Sequence, residues 1–537
     1  MRISTTQFYE STAANYQRSY ANVSKTSEEV SSGIKLNTAS DDPVGAARVL
    51  QLAQQNSMLT QYESNIGIIN TSVVNSETAL TSIVDTMQAA REVIVSSGNG
   101  AYTDADRLAK AGELKQYQSQ ILGLMNSQDS NGQYIFGGSK SSAPPYTSNA
   151  DGSYSYNGDQ TSINLAVGDG LVLASNITGF EAFEQAVNTT RTSSTLLPPA
   201  ATPTAPVVDD GKVGLTGGLV KSTAAYNANY QAGEPYTLSF LSGTQFKITD
   251  ATGADVTTEA SSAGKFSSSS FADQTFTFRG VELTMNINLT AADTTAPSSA
   301  DTVLANREYR LASTPDAITT ARSPGNTSAA AISSSAVGTT AADLTAFNTT
   351  FPSGGAILKF TSSTDYELYA TPLTSSSKPV STGTMSGTTA NASGVNFTVS
   401  GTPDAGDQFV VQSGTRQTEN ILNTLSAAIK ALSTPTDGNL VASQKLNASL
   451  TSALGNLTSS IDQASTARSN GGARQLAATA QGVTNDLLKG NNTTEQGTYV
   501  NADLVEATTR LTLQKTMLDA SQQVFIQLSR LNLFSQL

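Results

Sequence analysis

Residues 9–34 read YESTAANYQRSYANVSKTSEEVSSGI, and within them Tyr9, Tyr16, Val23 and Val30 stand seven positions apart, with Tyr20 and Ile34 in intervening places. A seven-residue apolar repeat keeps one helix face turned toward a partner helix, so the stretch predicts a coiled-coil helix stopped at Ser32-Gly33. At the other terminus Leu504, Leu511, Leu518 and Phe525 repeat at the same interval, with Ala507 and Leu528 between them, and the chain closes on Leu531, Leu533, Phe534 and Leu537. Each stripe is narrow, and a helix of about 30 residues is about 45 Å long with no core of its own. The economical partner of the first helix is the last one, leaving further apolar surface for neighbouring subunits. The plainer reading, two helices packed on one globular domain, leaves the shared repeat at opposite ends unexplained.

A second helical layer lies inside these ends. Asp42-Pro43 reads as an N-cap followed by proline at the first helical position, where its missing N–H is not needed. Tyr62, Ile66, Ile69, Val73, Ser76, Leu80, Ile83, Met87, Ala90 and Ile94 then alternate steps of four and three until Gly98-Asn99-Gly100. Thr103 caps a return helix carrying Leu114, Tyr117, Ile121 and Leu124, antiparallel to the first because the connection is short. Leu422, Leu425, Ile429 and Leu432, a break at Pro435, and Leu450, Leu454, Leu457 and Ile461 complete a bundle. Turn residues at Asn149 to Gly152 and at Asn157-Gly158-Asp159 surround the alternating runs Ser153 to Tyr156 and Ile163 to Val167, which predicts a flanking β-hairpin.

From about Thr190 to Gly406 the helical period disappears, and short alternating runs such as Val281, Leu283, Met285, Ile287 and Leu289 stand among Ser, Thr, Ala, Gly and Pro. Leu238, Phe240, Phe246 and Ile248 reappear in spacing as Leu358, Phe360, Tyr366 and Leu368; Gly280-Val281-x-Leu283-x-Met285 matches Gly394-Val395-x-Phe397-x-Val399. An internal duplication is the reading, two small β domains in one insertion. The predicted class is α+β: a coiled-coil and bundle stalk with a hairpin and a β-rich middle. The expected boundaries are 1–42 with 495–537 for the terminal coiled coil and 43–190 with 407–494 for the bundle and hairpin. The insertion is expected as β domains at 191–291 and 346–406, separated by an Ala/Ser/Thr-rich connector at 292–345.

Composition narrows the chemistry. The 537 residues are too many for one core, and only 38% are hydrophobic and 6% aromatic, which favours thin or elongated cores. A formal charge of -13, from 43 acidic against 30 basic residues, argues against a nucleic-acid partner. The absence of Cys and His excludes disulfides, Ser-His-Asp and Cys-His nucleophile pairs, and zinc sites of the usual ligands. Ser32-x-x-Lys35 has the spacing of a Ser-Lys pair, which so Ser-rich a chain produces by chance. Asp129-Ser130-Asn131-Gly132 starts like a calcium loop, but Gly138 stands where the loop's closing acidic residue belongs, so it reads as a turn. No catalytic residue, metal ligand or cofactor is nominated. Met1 to Thr6 lacks the apolar segment of a cleaved secretory signal, and no stretch approaches the length of a membrane span.

The run Ser32-Gly33-Ile34-Lys35-Leu36-Asn37-Thr38-Ala39-Ser40-Asp41-Asp42-Pro43 resembles the Ser-Gly-x-Arg-Ile-Asn-x-x-x-Asp-Asp-Pro signature of the flagellar axial proteins, the flagellins and hook-filament junction proteins. Tyr134-Ile135-Phe136-Gly137-Gly138, followed by Pro145-Tyr146, is similar to the Tyr-x-Phe-Gly-Gly motif of the junction family and its Pro-Phe sequel, which flagellins do not usually carry. Gly401-Thr402-Pro403-x-x-Gly406-Asp407-x-Phe409 resembles a segment of hook-associated proteins, and Leu531 to Leu537 resembles their ending, with Leu533, Phe534 and Leu537 on the motif. Leu476 departs from the family, standing where flagellins place Asn, and Ile34 and Leu36 replace more basic and β-branched choices.

The resemblance implies a non-enzymatic structural adaptor, exported unfolded by the flagellar apparatus with an uncleaved N-terminus and placed outside the cell. It implies a ring of like subunits between hook-associated protein 1 and flagellin, an export chaperone, and no nucleic-acid or membrane partner. A flagellin is the neighbouring reading. An adhesin or an extracellular enzyme displayed on the insertion are readings of other classes, separable by binding and hydrolysis assays on residues 190–406.

Overall fold

The computed structural model describes residues 5–149, 152–197, 209–269, 272–305, 307–314, 317–338, 340–352, 355–374, 376–414 and 417–533. Among the described residues the helices of eight residues or more are α1 (Thr5–Ser32), α2 (Pro43–Ser97), α3 (Asp104–Met125), α4 (Ala341–Thr350), α5 (Ile421–Leu432), α6 (Leu440–Val500) and α7 (Leu504–Leu533). The chain divides into two compact units, one of residues 1–74, 163–175 and 471–537 and one of residues 75–162 and 176–470.

In the first unit α1 packs along α7. Helix α1 ends where Gly33 takes a φ of +71°, a conformation that costs glycine little. Helix α2 begins as its sequence demands, with Pro43 in the first turn and Asp42 Oδ1 accepting the Gly45 N–H at 2.9 Å. Ile66, Ile69 and Val73 bury against Val167 and Ala478.

The second unit contains a helical core. Leu80, Ile83, Met87, Ala90 and Ile94 of α2 meet Leu114 and Ile121 of α3, Leu422, Leu425 and Leu432 of α5, and Leu450 and Leu457 of α6. Most predicted stripe positions are buried here, Ser76 included, while Tyr117, Leu124, Ile429, Leu454 and Ile461 pack half-buried against them. Thr103 and Asp106 form the capping box of α3.

The single predicted hairpin is two. Strand β1 (Tyr146–Ser148) pairs with β2 (Tyr154–Tyr156), and β3 (Asn164–Gly168) pairs with β4 (Leu171–Ala174). The predicted runs are strands, but each turns at its own glycine, Gly152 at φ +82° and Gly170 at φ +71°.

The inserted region forms two β domains of one design. In the first, β5 (Thr192–Leu196), β6 (Val213–Leu215), β7 (Leu219–Val220), β8 (Tyr236–Ser242), β9 (Gln245–Thr249), β10 (Gln274–Phe278), β11 (Val281–Ile287) and β12 (Glu308–Ser313) make sheets ordered β5-β12-β8-β9 and β10-β11-β6, with β7 also on β11. In the second, β13 (Ala317–Arg322), β14 (Ala331–Val337), β15 (Ala356–Phe360), β16 (Asp365–Ala370), β17 (Ser381–Thr384), β18 (Thr389–Ala392), β19 (Val395–Ser400) and β20 (Gln408–Gly414) make β13-β20-β15-β16-β17 and β14-β19-β18. Apart from the added β17, the strand orders correspond.

The registers correspond as well. Leu238 faces Ile248 and Phe240 faces Phe246, as Leu358 faces Leu368 and Phe360 faces Tyr366. Val281 pairs with Val220 as Val395 pairs with Val337. The matching turns Arg279-Gly280 and Ser393-Gly394 have positive φ at both residues, the geometry of the tight hairpin turn that follows strand twist. A Cβ on Gly280 would press on Ala225 and Tyr226, and one on Gly394 on Asp343 and Phe347, in each domain the helical segment before the central hairpin.

Each domain also carries an aspartate latch. Asp293 accepts the Thr290 N–H at 2.9 Å and pairs with Lys212 at 2.6 Å, next to the start of β6. Asp407 accepts the Asp404 N–H at 3.0 Å, the Thr327 N–H at 2.9 Å and the Ser328 hydroxyl, holding the approach to β14. Asp407 is fully buried, so truncating it strands three donors. Asp407→Ala should destabilise the second β domain by about 2 to 4 kcal/mol, read as a lowered unfolding midpoint in denaturant.

Residues 292–345, expected to be a connector, instead carry β12, β13, β14 and the start of α4. Tyr309 and Leu311 belong to the first core, and Ile318 and Val337 to the second. The second β domain accordingly extends beyond 346–406 on both sides. Strand β14 reads Ala-Ile-Ser-Ser-Ser-Ala-Val and has a bulge between Ile332 and Ser334. Its strand character comes from the ladder to β19 rather than from an apolar alternation.

Candidate functional site

The terminal helices pair antiparallel. The Tyr16 ring stacks on Phe525 with centroids 6.1 Å apart, and the Gln522 amide donates to the Tyr16 hydroxyl at 3.1 Å. Leu518 and Ala507 are buried in the seam, and Val23, Val30 and Leu511 are half-buried. Near the α1 end, Arg510 forms an ion pair with buried Glu29. The joint is tied off by the backbone: Ala502 N donates to Gly33 O at 2.8 Å and Lys35 N to Val500 O at 2.9 Å, while Lys35 Nζ reaches Thr498 O at 2.8 Å.

Three expected members differ. Ile34 is not helical; it bridges to Asn501 just past the end of α1. Leu504 is 51% exposed, because the antiparallel register carries it past Ser32, where α1 has ended. Tyr20 is 60% exposed and lies off the seam. Tyr9, Leu528 and Leu533 lie in the helices with side chains outside the described residues, as are Phe534 and Leu537 altogether. On the other side of α7, Leu513, Met517 and Val524 are exposed at steps of four and seven.

Ser40, Asp41, Asp42 and Pro43 build the corner between α1 and α2. Lys25 Nζ donates to Asp41 Oδ1 at 2.5 Å, the Thr38 N–H to Asp41 Oδ2 at 2.9 Å, and the Thr38 and Ser40 hydroxyls share a hydrogen bond at 2.7 Å. The Lys25 hydrogen bond, helped by Thr38, pulls the Asp41 carboxyl down to about 2. A carboxyl lowered on folding stabilises the fold above its ordinary value and loses that contribution as pH falls through the folded one. The corner should therefore loosen between pH 3.8 and about 2, and Asp41→Asn should flatten that acid dependence in hydrogen exchange at residues 33–42.

In the second unit, the Tyr134 to Gly138 motif wraps an aromatic cluster. Phe136 is fully buried, edge-on to Phe183 at 5.2 Å, and its carbonyl accepts the Gly179 N–H at 2.8 Å and the Tyr156 hydroxyl at 3.0 Å. Gly138 sits at φ +69°, where a Cβ would strike Asp159; a Cβ on Gly137 would lie 2.6 Å from Lys140 O. Asp159 Oδ1 accepts the Ser139 N–H at 2.8 Å. Tyr134 N donates to Ser141 O at 2.8 Å, and Asp129 accepts the Asn131 and Gln133 N–H groups, closing the turn anticipated there. Tyr146, the residue after Pro145, is buried against Phe183 at 6.1 Å, and burial pushes its hydroxyl well above its usual value. Burial likewise raises Tyr156 to about 12. Asp159 and Phe183 were missed from sequence; the only signal for Asp159 was its place in the Asn157-Gly158-Asp159 turn.

Residues 3–141 match the family model of the bacterial flagellin N-terminal helical region. The chain's N-terminal region is thus similar to that of the flagellins. The chain is similar to flagellar hook-associated protein 3 of Salmonella typhimurium, 33% identical over 183 residues covering 34% of this chain and 57% of the relative. It is also similar to flagellar hook-associated protein 3 of Escherichia coli, 32% identical over 147 residues covering 27% and 46%. The chain thus spans about half the length of the curated relatives it matches. A crystal structure of the flagellar junction protein FlgL from Legionella pneumophila aligns with 80% of this chain and 99% of its own, at 17% identity and a TM-score of 0.42. Among the described residues no helix is long and apolar enough to cross a membrane.

Proposed function

We propose that the chain is a structural adaptor of the bacterial flagellum, joining the hook, through hook-associated protein 1, to the flagellin filament. The observation that carries this reading is the double face of α7. One side, with Ala507 and Leu518, closes on α1, while Leu513, Met517 and Val524 remain exposed for neighbouring subunits. Burying each such side chain contributes about 1.5 to 3 kcal/mol, repeated around a ring of like subunits. A helix such as α7, with Thr, Gln and Ser along its length, draws its stability from packing rather than from propensity, which suits a chain exported unfolded, with a chaperone, and ordered on assembly outside the cell. The Phe136-Gly137-Gly138 motif favours the junction over the filament. The matching strand orders of the two β domains support a duplicated insertion.

A second reading, a filament subunit, is favoured by likeness to flagellins, such as that of Clostridium tyrobutyricum at 33% identity over 119 residues. Gold labelling of an epitope-tagged chain in flagella separates the two. A single band where hook meets filament is expected, whereas label along the filament would replace the junction reading with the second.

A further inference from the structure

The chain crosses between the helical core and the β insertion twice, outward through residues 186–190 and back through 417–420. The two crossings are laced together: Val187 and Thr418 form an antiparallel bridge, Asn188 N donates to Gln417 O at 2.9 Å, and Glu419 N donates to Ala186 O at 3.0 Å. Both are also fastened to helices. Asn420 caps α5, its Oδ1 accepting the Leu422 N–H at 2.8 Å, and its amide donates to Glu184.

The outward crossing is held by one side chain of α6. Asn456 Oδ1 accepts both the Thr189 N–H and the Thr189 hydroxyl at 2.7 Å, and Asn456 Nδ2 donates to the Thr190 hydroxyl at 2.8 Å. Asn456 is 7% exposed. The neighbouring Gly455 permits the approach, since a Cβ there would lie 2.5 Å from the Thr189 hydroxyl oxygen. On its far side Thr189 O accepts the Val220 N–H at 2.7 Å, so the clasp runs from α6 through the neck into β7 of the first β domain.

We propose that Asn456 is a positioning residue that fixes the direction in which the β insertion leaves the helical core, making the insertion a rigid arm rather than a tethered one. Bending at residues 186–190 would break three hydrogen bonds to one buried amide and expose groups with no other partner at hand. A linker needs none of this; a short run of Ser, Thr and Gly would suffice. The inference concerns the isolated chain and holds whichever flagellar position the subunit takes.

The chain contains no cysteine, so Ser119→Cys on exposed α3 and Thr275→Cys on exposed β10 can be spin-labelled uniquely and their separation measured by pulsed electron resonance. One narrow distance distribution is expected in the otherwise native chain; a broad one overturns the rigid arm at once. Adding Asn456→Ala should broaden the distribution and speed amide exchange at residues 186–190 by about tenfold or more, leaving exchange in the bundle and both β domains unchanged. An unchanged distribution would remove Asn456 from the role. Should Asn456→Ala fail to fold, Thr189→Val, which deletes one of the three bonds, is read the same way and decides the same question.

Discussion

A Leu518→Asp subunit is expected to fold its bundle and β domains and to leave its terminal helices unpaired. Leu518 is 8% exposed in the α1–α7 seam, and losing such a side chain costs about 2 to 5 kcal/mol. The new carboxylate has no basic partner built for it, which adds a desolvation cost. Helices α1 and α7 draw their stability from packing on each other rather than from propensity, so the sum is enough to release both. Circular dichroism should show reduced helicity, limited proteolysis should trim the two ends together, and the variant should not enter flagella. Leu513→Asp is the informative companion. Leu513 is 62% exposed on the other face of α7, so that variant should keep the helical signal of the free subunit and still fail to assemble. Full helicity in Leu518→Asp would contradict the pairing.

Phe136→Ala should cost the helical core about 3 to 5 kcal/mol, the largest loss expected from one side chain of the motif. Its ring is fully buried against Phe183 in the core that also holds Tyr146, and the backbone around it is pinned by Gly179, Ser141 and the Tyr156 hydroxyl. The segment cannot collapse into the space without giving up those hydrogen bonds, so a cavity should remain. Gly138→Val should act by another route, forcing a β-branched residue into φ +69° beside Asp159. Denaturant unfolding should show an early core transition in both variants, with the β domains unfolding at their original midpoints. A core midpoint unmoved in Phe136→Ala would make the motif a surface feature instead of a structural one.

The long helices were legible because their period is written many times over. The positions from Ile66 to Ile94 that alternate by four and three are the buried ones, and Pro43 and Thr103 mark helix starts that the caps at Asp42 and Asp106 complete. Strand pairing was less legible. Tyr154 to Tyr156 is a strand, but nothing local says that it turns back to Tyr146. Strand β14 was lost inside a Ser/Ala run because its ladder to β19, not its side chains, makes it a strand. The correspondence between the two β domains was visible in apolar spacing, whereas their two aspartate latches were not, since the partners Lys212 and Ser328 lie about 80 residues away. Leu504 was misjudged for a related reason: a heptad repeat reports the face of its own helix and not where the partner helix stops. The Asn456 clasp joins residues 267 positions apart and had no sequence signal.

The proposed adaptor role is tested most directly by what happens without the chain. Deleting its gene in the motile host and examining cells by electron microscopy, with flagellin assayed in the medium, tests that role in one experiment. Bare hooks with flagellin shed into the medium are the predicted result; bare hooks with no flagellin anywhere would make this chain the filament subunit itself.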